Sequence, residues 1–361
     1  PWRDGGGALA AAVREGEDWK MGIHGGDIYR NQIELDFSIN VNPLGMSDAV
    51  REALHGAVDK SVNYPDEQAQ GLVEAVSERL HVPPECLVFG NGASELFLGV
   101  VHALRPRRTV IPVPSFYGYE YAAGACNGRI DFVPMKEQEA FLPGGELLDA
   151  PTEETDLLFL ANPNNPTGRL LDTAYLEKIL QKCRKIDTVV VLDECFLDFC
   201  GQGESMLPRL SEYENLLVVR AFTKLYAIPG VRLGYLAGAP RLVARIRQHL
   251  PEWNLSIFAQ EAGIACAGQT EYAKRTAAFV RKERTLMEER LRALGVRVFP
   301  GDANFLLLFS ECPLYERLLR RKILIRDCAN FRGLTKGYYR VAVRGREENE
   351  RLWKAIGDCI G

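Results

Sequence analysis

The chain has 361 residues, enough for two domains or for one large domain with an appendage. Hydrophobic residues make up 47% and charged residues 25%, the proportions of a soluble globular protein. A formal net charge of −4 gives no basis for nucleic acid or an anionic membrane as partner, and no apolar run approaches the ~20 residues that would span a bilayer.

Residues 1–20 carry a short apolar run without a full signal-peptide core and, lying ahead of Met21, read as an extension, a tag remnant or a misassigned start. From Cys86 onward apolar strands alternate with helices. Cys86–Phe89 predicts a strand, Gly90-Asn91-Gly92 a turn, and Ala93–Leu104 an amphipathic helix. Thr109–Val113 and Leu157–Ala161 predict further strands, helix Ala174–Arg184 follows, and Thr188–Leu192, Leu216–Val219 and Gly234–Ala237 complete the set. This order predicts an α/β fold whose mostly parallel sheet is buried on both faces, with ligands outside the carboxyl ends of its strands. After Pro240 the pattern changes. Glu271–Leu294 predicts one long charged helix bridging two regions. The short strands Val296–Phe299, Asn304–Phe309, Ile323–Arg326 and Tyr338–Val343 beyond it predict a small α+β unit. The expected division is an arm over 1–45, a large domain over 46–269 and a small domain over 270–361.

Nine scattered cysteines with no CxxC pair point to a reducing cytoplasm rather than a disulfide framework. Five histidines without metal-ligand spacing argue against structural zinc.

The chemistry-bearing residues fall at the predicted strand ends. Lys224 closes an apolar run, where desolvation favours the neutral amine that can attack an aldehyde. Arg232, eight residues later, can hold a phosphate by paired hydrogen bonds. Asp193 ends the strand TVVVLD, and a carboxylate beneath a pyridine nitrogen keeps that nitrogen protonated. Asn165 lies in the turn NPNNPTG after LLFLA. Gly92, Ala93 and Ser94 open a helix, where backbone N–H groups can bind phosphate. Each has a plain reading alone: a surface lysine, a capping aspartate, an ordinary turn. Gly90-Asn91-Gly92 also fails as a dinucleotide fingerprint, because Glu95 replaces its third glycine.

Taken in this order, the motifs resemble those of the aspartate-aminotransferase superfamily, fold type I pyridoxal-phosphate enzymes, over residues 30–360. The resemblance implies that Lys224 forms the Schiff base with pyridoxal 5'-phosphate, Asp193 pairs with the ring nitrogen, and Asn165 binds the phenolic oxygen. It further implies that Gly92, Ala93, Ser94, Thr223 and Arg232 hold the phosphate and that Tyr119 stacks on the ring. Arg340 would clamp the substrate carboxylate. Tyr64 would reach into a neighbouring subunit, making the protein a homodimer with shared sites. One position departs from the pattern: Phe196 stands where many members carry a tyrosine.

Within the superfamily, the segments around His24, Asn42, Lys224, Arg326 and Tyr338–Arg344 resemble the L-threonine-O-3-phosphate decarboxylases of cobalamin biosynthesis. Histidinol-phosphate aminotransferases are the alternative branch. This resemblance implies a small phosphorylated amino acid as substrate, with Arg326 and His24 on its phosphate, Asn42 among the residues that bind it and Arg344 adding positive charge nearby. It implies no metal.

Overall fold

The computed structural model describes residues 25–201 and 203–361. A short strand, β1 (Leu35–Asp36), precedes two helices, Asp48–Lys60 and Gln70–Leu80. The first of these helices is capped by Ser47, whose side chain accepts from the Val50 N–H. The central sheet has seven strands: β2 (Leu87–Gly90), β3 (Arg108–Val113), β4 (Arg129–Pro134), β5 (Leu157–Ala161), β6 (Val189–Asp193), β7 (Leu216–Ala221) and β8 (Gly234–Gly238). Their order is β2-β8-β7-β6-β5-β3-β4. Only β8 runs against its neighbours, β2 and β7. The remaining six point the same way, so their carboxyl ends share one edge.

These strands are apolar on both faces because both faces are covered. Leu158, Leu160, Val190, Leu192 and Val218 face one core, while Phe159, Val191, Leu217 and Val219 face another. The alternation of adjacent residues between two cores is the two-residue period of a pleated strand.

The second sheet has four strands, β9 (Arg297–Val298), β10 (Phe305–Phe309), β12 (Arg326–Asp327) and β13 (Tyr338–Ala342), in the order β12-β13-β10-β9. Strand β11 (Ile323–Leu324) pairs in parallel with β1, and the Ala342 N–H donates to the Phe37 carbonyl. The segment before residue 40 is thereby tied to the carboxyl-terminal part of the chain. Helix Thr270–Ala293 joins the two regions: Tyr272 and Val280 enter the large core, and Met287 and Leu291 the small one.

The structure adds elements absent from the sequence reading. Strand β4 is an edge strand of intermediate burial, RIDFVP, whose charges mask its pairing with β3. Helix Ile257–Ala267 is apolar nearly all round, so it shows no helical stripe.

Candidate active site

The six co-directed strands bring the motif residues to one place. Gly92, Ala93, Ser94, Tyr119, Asn165, Asp193, Thr223, Lys224, Arg232 and Arg340 all line one cavity of about 310 Å³. Segments separated by more than a hundred residues meet there because the co-directed strands deliver the residues at and after their carboxyl ends to one edge, which Arg232 reaches just ahead of the antiparallel β8. Arg340 is the exception, since it arrives from β13 of the second sheet.

Lys224 lies in the helical turn Phe222–Leu225, directly after β7. Burial pushes its ammonium below its ordinary range; Arg340 and Arg232 push it the same way, while Cys195 and Asp193 oppose them. The turn is pinned from the amino-terminal segment. The Asn42 N–H donates to the Lys224 carbonyl at 3.0 Å. The Asn42 amide group donates to the Leu225 carbonyl and the Thr276 hydroxyl, both at 2.7 Å.

That geometry corrects one expectation. Asn42 is buried, absent from the cavity wall, and spends its side chain on holding the lysine turn. Asn40, two residues earlier, lines the cavity instead, with a buried Oδ1 that has no hydrogen-bond partner. Sequence reasoning missed it because both asparagines sit in the same motif, and only their facing distinguishes them.

Asp193 presents one edge to the cavity and is otherwise enclosed. Burial pushes its carboxyl up, while hydrogen bonds from Cys195 and Tyr119 act against that shift. The Tyr119 hydroxyl donates to Asp193 Oδ2 at 2.6 Å. The Tyr119 ring lies flat on Phe159, with centroids 5.1 Å apart and 8° between planes, and is 1% exposed. One face of the ring expected to stack on a ligand is therefore covered. Phe116, partly exposed and lining the cavity, is a second aromatic at the same wall. Phe196 also borders the cavity and meets Phe305 edge-on at 5.2 Å, offering no hydroxyl there.

Gly92 has φ +86°, and a Cβ there would lie 2.5 Å from Arg232 Nη2. Only glycine lets this guanidinium approach the start of helix Ala93–Leu104, which lines the cavity and has no side-chain cap. Arg232 Nη1 donates to the Pro229 carbonyl at 3.1 Å, and no carboxylate among the described residues is in ion-pair range. An arginine, a helix start and a glycine that admits no side chain form a cradle for a phosphate. Lys224 and Asp193 at the other end suit an aldehyde and a ring nitrogen. The residues present thus fit pyridoxal phosphate.

Beyond Arg340 a second cavity of about 410 Å³ adjoins the first, and Gly25, Phe116 and Arg340 border both. Arg326 lines only this second space. Arg326 and Arg340 stand directly opposite each other on β12 and β13. Both are buried, at 7% and 6% exposure, and neither has a carboxylate in ion-pair range among the described residues. Arg326 donates to the Asp327 carbonyl at 2.8 Å and to Asn330 Oδ1 at 2.7 Å. Arg340 donates to Asn165 Oδ1 and to the Ser38 carbonyl, while its Nε has no partner. Burial holds both guanidinium groups below their ordinary range, Arg340 at about 10, and Arg326 adds to the effect on Arg340. Like charges in direct cross-strand register repel. An anion between them relieves that cost.

Three expected residues stand apart. Arg344 pairs with Glu348 at 3.1 Å at the start of helix Arg346–Ile360 and is not in either cavity wall. Tyr64 is 81% exposed and lies against Trp253, with ring centroids 5.2 Å apart, outside both cavities of its own chain. His24 lies outside the described residues. No group of metal-ligating side chains occurs among the described residues.

The model of the family "Aminotransferase class I and II" matches residues 32–356. The chain is 37% identical to the threonine-phosphate decarboxylase of Salmonella typhimurium over 331 residues, which is 90% of this chain and 91% of that protein. Among solved structures, the histidinol-phosphate aminotransferase of Clostridium acetobutylicum superposes with a TM-score of 0.84 at 30% identity, covering 90% of this chain and 99% of that one. The L-threonine-O-3-phosphate decarboxylase of Porphyromonas gingivalis superposes with a TM-score of 0.81 at 27% identity, covering 90% and 98%. With its mostly parallel seven-stranded sheet, smaller antiparallel sheet and strand-end lysine, the chain belongs to the aminotransferase class I and II family, the fold type I enzymes that work with pyridoxal phosphate.

Proposed function

We propose that this enzyme decarboxylates L-threonine O-3-phosphate to (R)-1-amino-2-propanol O-2-phosphate, a step of cobalamin biosynthesis. The observation that carries the reading is the buried Arg326–Arg340 pair, which has no acid in ion-pair range among the described residues. Two cations in adjoining cavities suit a substrate with an anion at each end. The decarboxylase relatives supply the reaction class.

Gly92, Ala93, Ser94, Thr223 and Arg232 would hold the phosphate of pyridoxal phosphate, with Lys224 as the amine for its aldehyde, Asp193 as the partner for its ring nitrogen and Asn165 for its phenolic oxygen. When bound, pyridoxal phosphate supplies an electron sink for a carbanion at the substrate α-carbon. Arg340 binds the substrate carboxylate and Arg326 its phosphate, with Asn40 and His24 beside them. Gripping both ends fixes which α-carbon bond is oriented for cleavage. Lys224 Nζ delivers a proton to the α-carbon after carbon dioxide leaves.

The active form is a homodimer in the cytoplasm. Val62 and Tyr64 are 85% and 81% exposed, Val58 and Trp253 are exposed as well, and Tyr64 lies against Trp253, apolar surface that a second subunit would cover. Tyr64 would complete the neighbouring site. All nine cysteines are free, which supports a reducing compartment, and no described helix is long and apolar enough to cross a membrane.

The test is a paired assay of the cofactor-loaded enzyme. L-threonine O-3-phosphate alone should release carbon dioxide. Glutamate-dependent conversion of imidazole acetol phosphate without carbon dioxide release would make the enzyme an aminotransferase instead. Lys224→Ala should lower decarboxylation by about 10³-fold or more and abolish covalent cofactor attachment, read by mass spectrometry after borohydride reduction.

A further inference from the structure

The chain that follows Arg326 wraps back around its guanidinium. Arg326 Nη1 donates to the Asp327 carbonyl at 2.8 Å, Nη2 donates to Asn330 Oδ1 at 2.7 Å, and the group lies over the Phe331 ring at 5.1 Å. Two tight turns shape the intervening residues: the Phe331 N–H donates to the Cys328 carbonyl and the Leu334 N–H to the Phe331 carbonyl, both at 3.0 Å. A planar guanidinium held at two nitrogens and one face keeps its orientation as long as the segment carrying Asn330 and Phe331 stays in place.

Arg332 fastens that segment across the cavity to the region of the seven-stranded sheet. Its Nη2 and Nε donate to the two carboxylate oxygens of Glu120, at 2.7 and 3.3 Å, and its guanidinium lies 4.0 Å over the ring of Phe132 on β4. Glu120 belongs to helix Tyr117–Gly124. Gly333, with φ +87°, turns the chain beside Pro114, whose nitrogen lies 3.6 Å from where a Cβ would stand. Glu120, Phe132, Arg332 and Arg326 all border the 410 Å³ cavity. Both partners of the ion pair are partly exposed, so the pair adds little to the stability of the fold. Its forked geometry instead gives it direction. By charge alone an acid is misplaced in the wall of a cavity that also holds two buried arginines, because it repels any anion they attract.

Resting on the reading that Arg326 takes the substrate phosphate, we infer that the Arg332–Glu120 pair is a positioning link for Arg326. It pins the Ala329–Leu334 segment to helix Tyr117–Gly124, and Asn330 and Phe331 pass that constraint to the guanidinium. The preference for a phosphorylated substrate therefore depends on two residues that do not themselves touch the phosphate.

Glu120→Gln tests this, because charge and positioning predict opposite signs. Acting by charge alone, Glu120 would oppose the substrate, and its removal would lower KM. As a positioning residue its removal frees the segment, and KM for L-threonine O-3-phosphate should rise about three- to ten-fold while kcat stays within about two-fold. The inhibition constant of unphosphorylated L-threonine should not move. Arg332→Met should cause the same loss, and the double variant no more than either single one, since the two residues form one link. The denaturant midpoint of all three should match wild type, which separates positioning from unfolding. Arg326→Ala is the reference. If it selectively weakens the phosphorylated substrate while Glu120→Gln lowers KM or leaves it unchanged, the link is overturned and the phosphate reading stands. A loss in Arg332→Met without one in Glu120→Gln would make Arg332 a direct phosphate contact and overturn it equally. If Arg326→Ala weakens L-threonine O-3-phosphate and L-threonine alike, the phosphate reading falls, and this inference falls with it.

Discussion

Arg220, at the end of β7, is largely enclosed and the Arg326–Arg340 pair of the second sheet is buried, but of the three only Arg220 has acids in ion-pair range among the described residues. It meets Asp198 at 2.7 Å and Glu194 at 3.9 Å, and Glu194, fully buried, also accepts from the Ser205 hydroxyl and the Met206 N–H. That network is closed on its cation: two carboxylates flank one guanidinium, and Glu194 is held by donors inside the protein. Arg326 and Arg340 face each other in register over two adjoining cavities, and a nitrogen of Arg340 has no partner. Burying a charge costs several kcal/mol unless a partner compensates it. A closed network therefore serves the fold, and an open one awaits a ligand.

The contrast is broken most directly by removing each cation in turn. Arg220→Leu strands Glu194 and Asp198 and should destabilise the protein by about 3–5 kcal/mol, seen as a lower denaturant midpoint. Arg340→Leu removes a charge with no acid beside it, so the apoprotein's midpoint should match or exceed wild type. Its kcat/KM for L-threonine O-3-phosphate should fall about 10²- to 10³-fold, as for a lost partner of a buried ion. Equal destabilisation by both variants would erase the distinction.

A smaller effect sharpens the roles within the open pair. Arg326→Ala should raise KM for L-threonine O-3-phosphate by about 10- to 100-fold and leave binding of unphosphorylated L-threonine nearly unchanged. Equal losses on both ligands would remove Arg326 from the phosphate end.

The smallest expected effect carries the same logic to an anion. Burial raises the Asp193 carboxyl above its ordinary value of 3.8. An acid whose folded-state value is raised costs stability wherever it is ionised in both states, and the cost vanishes once both states are protonated. Asp193→Asn should thus stabilise the apoprotein at neutral pH. The gain should fade as pH drops through the folded value towards 3.8. Urea unfolding at several pH values reads it, and a gain independent of pH would assign it to packing instead.

The cofactor end was far more legible in the sequence than the substrate end. Lys224, Asp193, Asn165 and the Gly92 turn each sit at or just past the end of an apolar strand, and co-directed strands carry such residues to one edge of the sheet. Local order along the chain therefore carried tertiary information there. At the other end, residues near Asn40 meet β12 and β13 through pairing of β1 with β11, about three hundred residues apart in sequence. No local pattern encodes that meeting, and the exchange of Asn42 for Asn40 at the cavity wall resulted from it.

By itself the sequence determined the α/β sheet, the edge on which chemistry collects and the residue types gathered there, because strand period and apolar runs are local properties. Tertiary structure alone decided which side chains face the cavity and which serve the frame. It turned Asn42 towards the lysine turn, laid Tyr119 on Phe159 with its hydroxyl on Asp193, and matched Arg344 with Glu348. It also left Arg326 and Arg340 opposed without an acid, since side-chain facing and charge matching depend on neighbours distant in the chain.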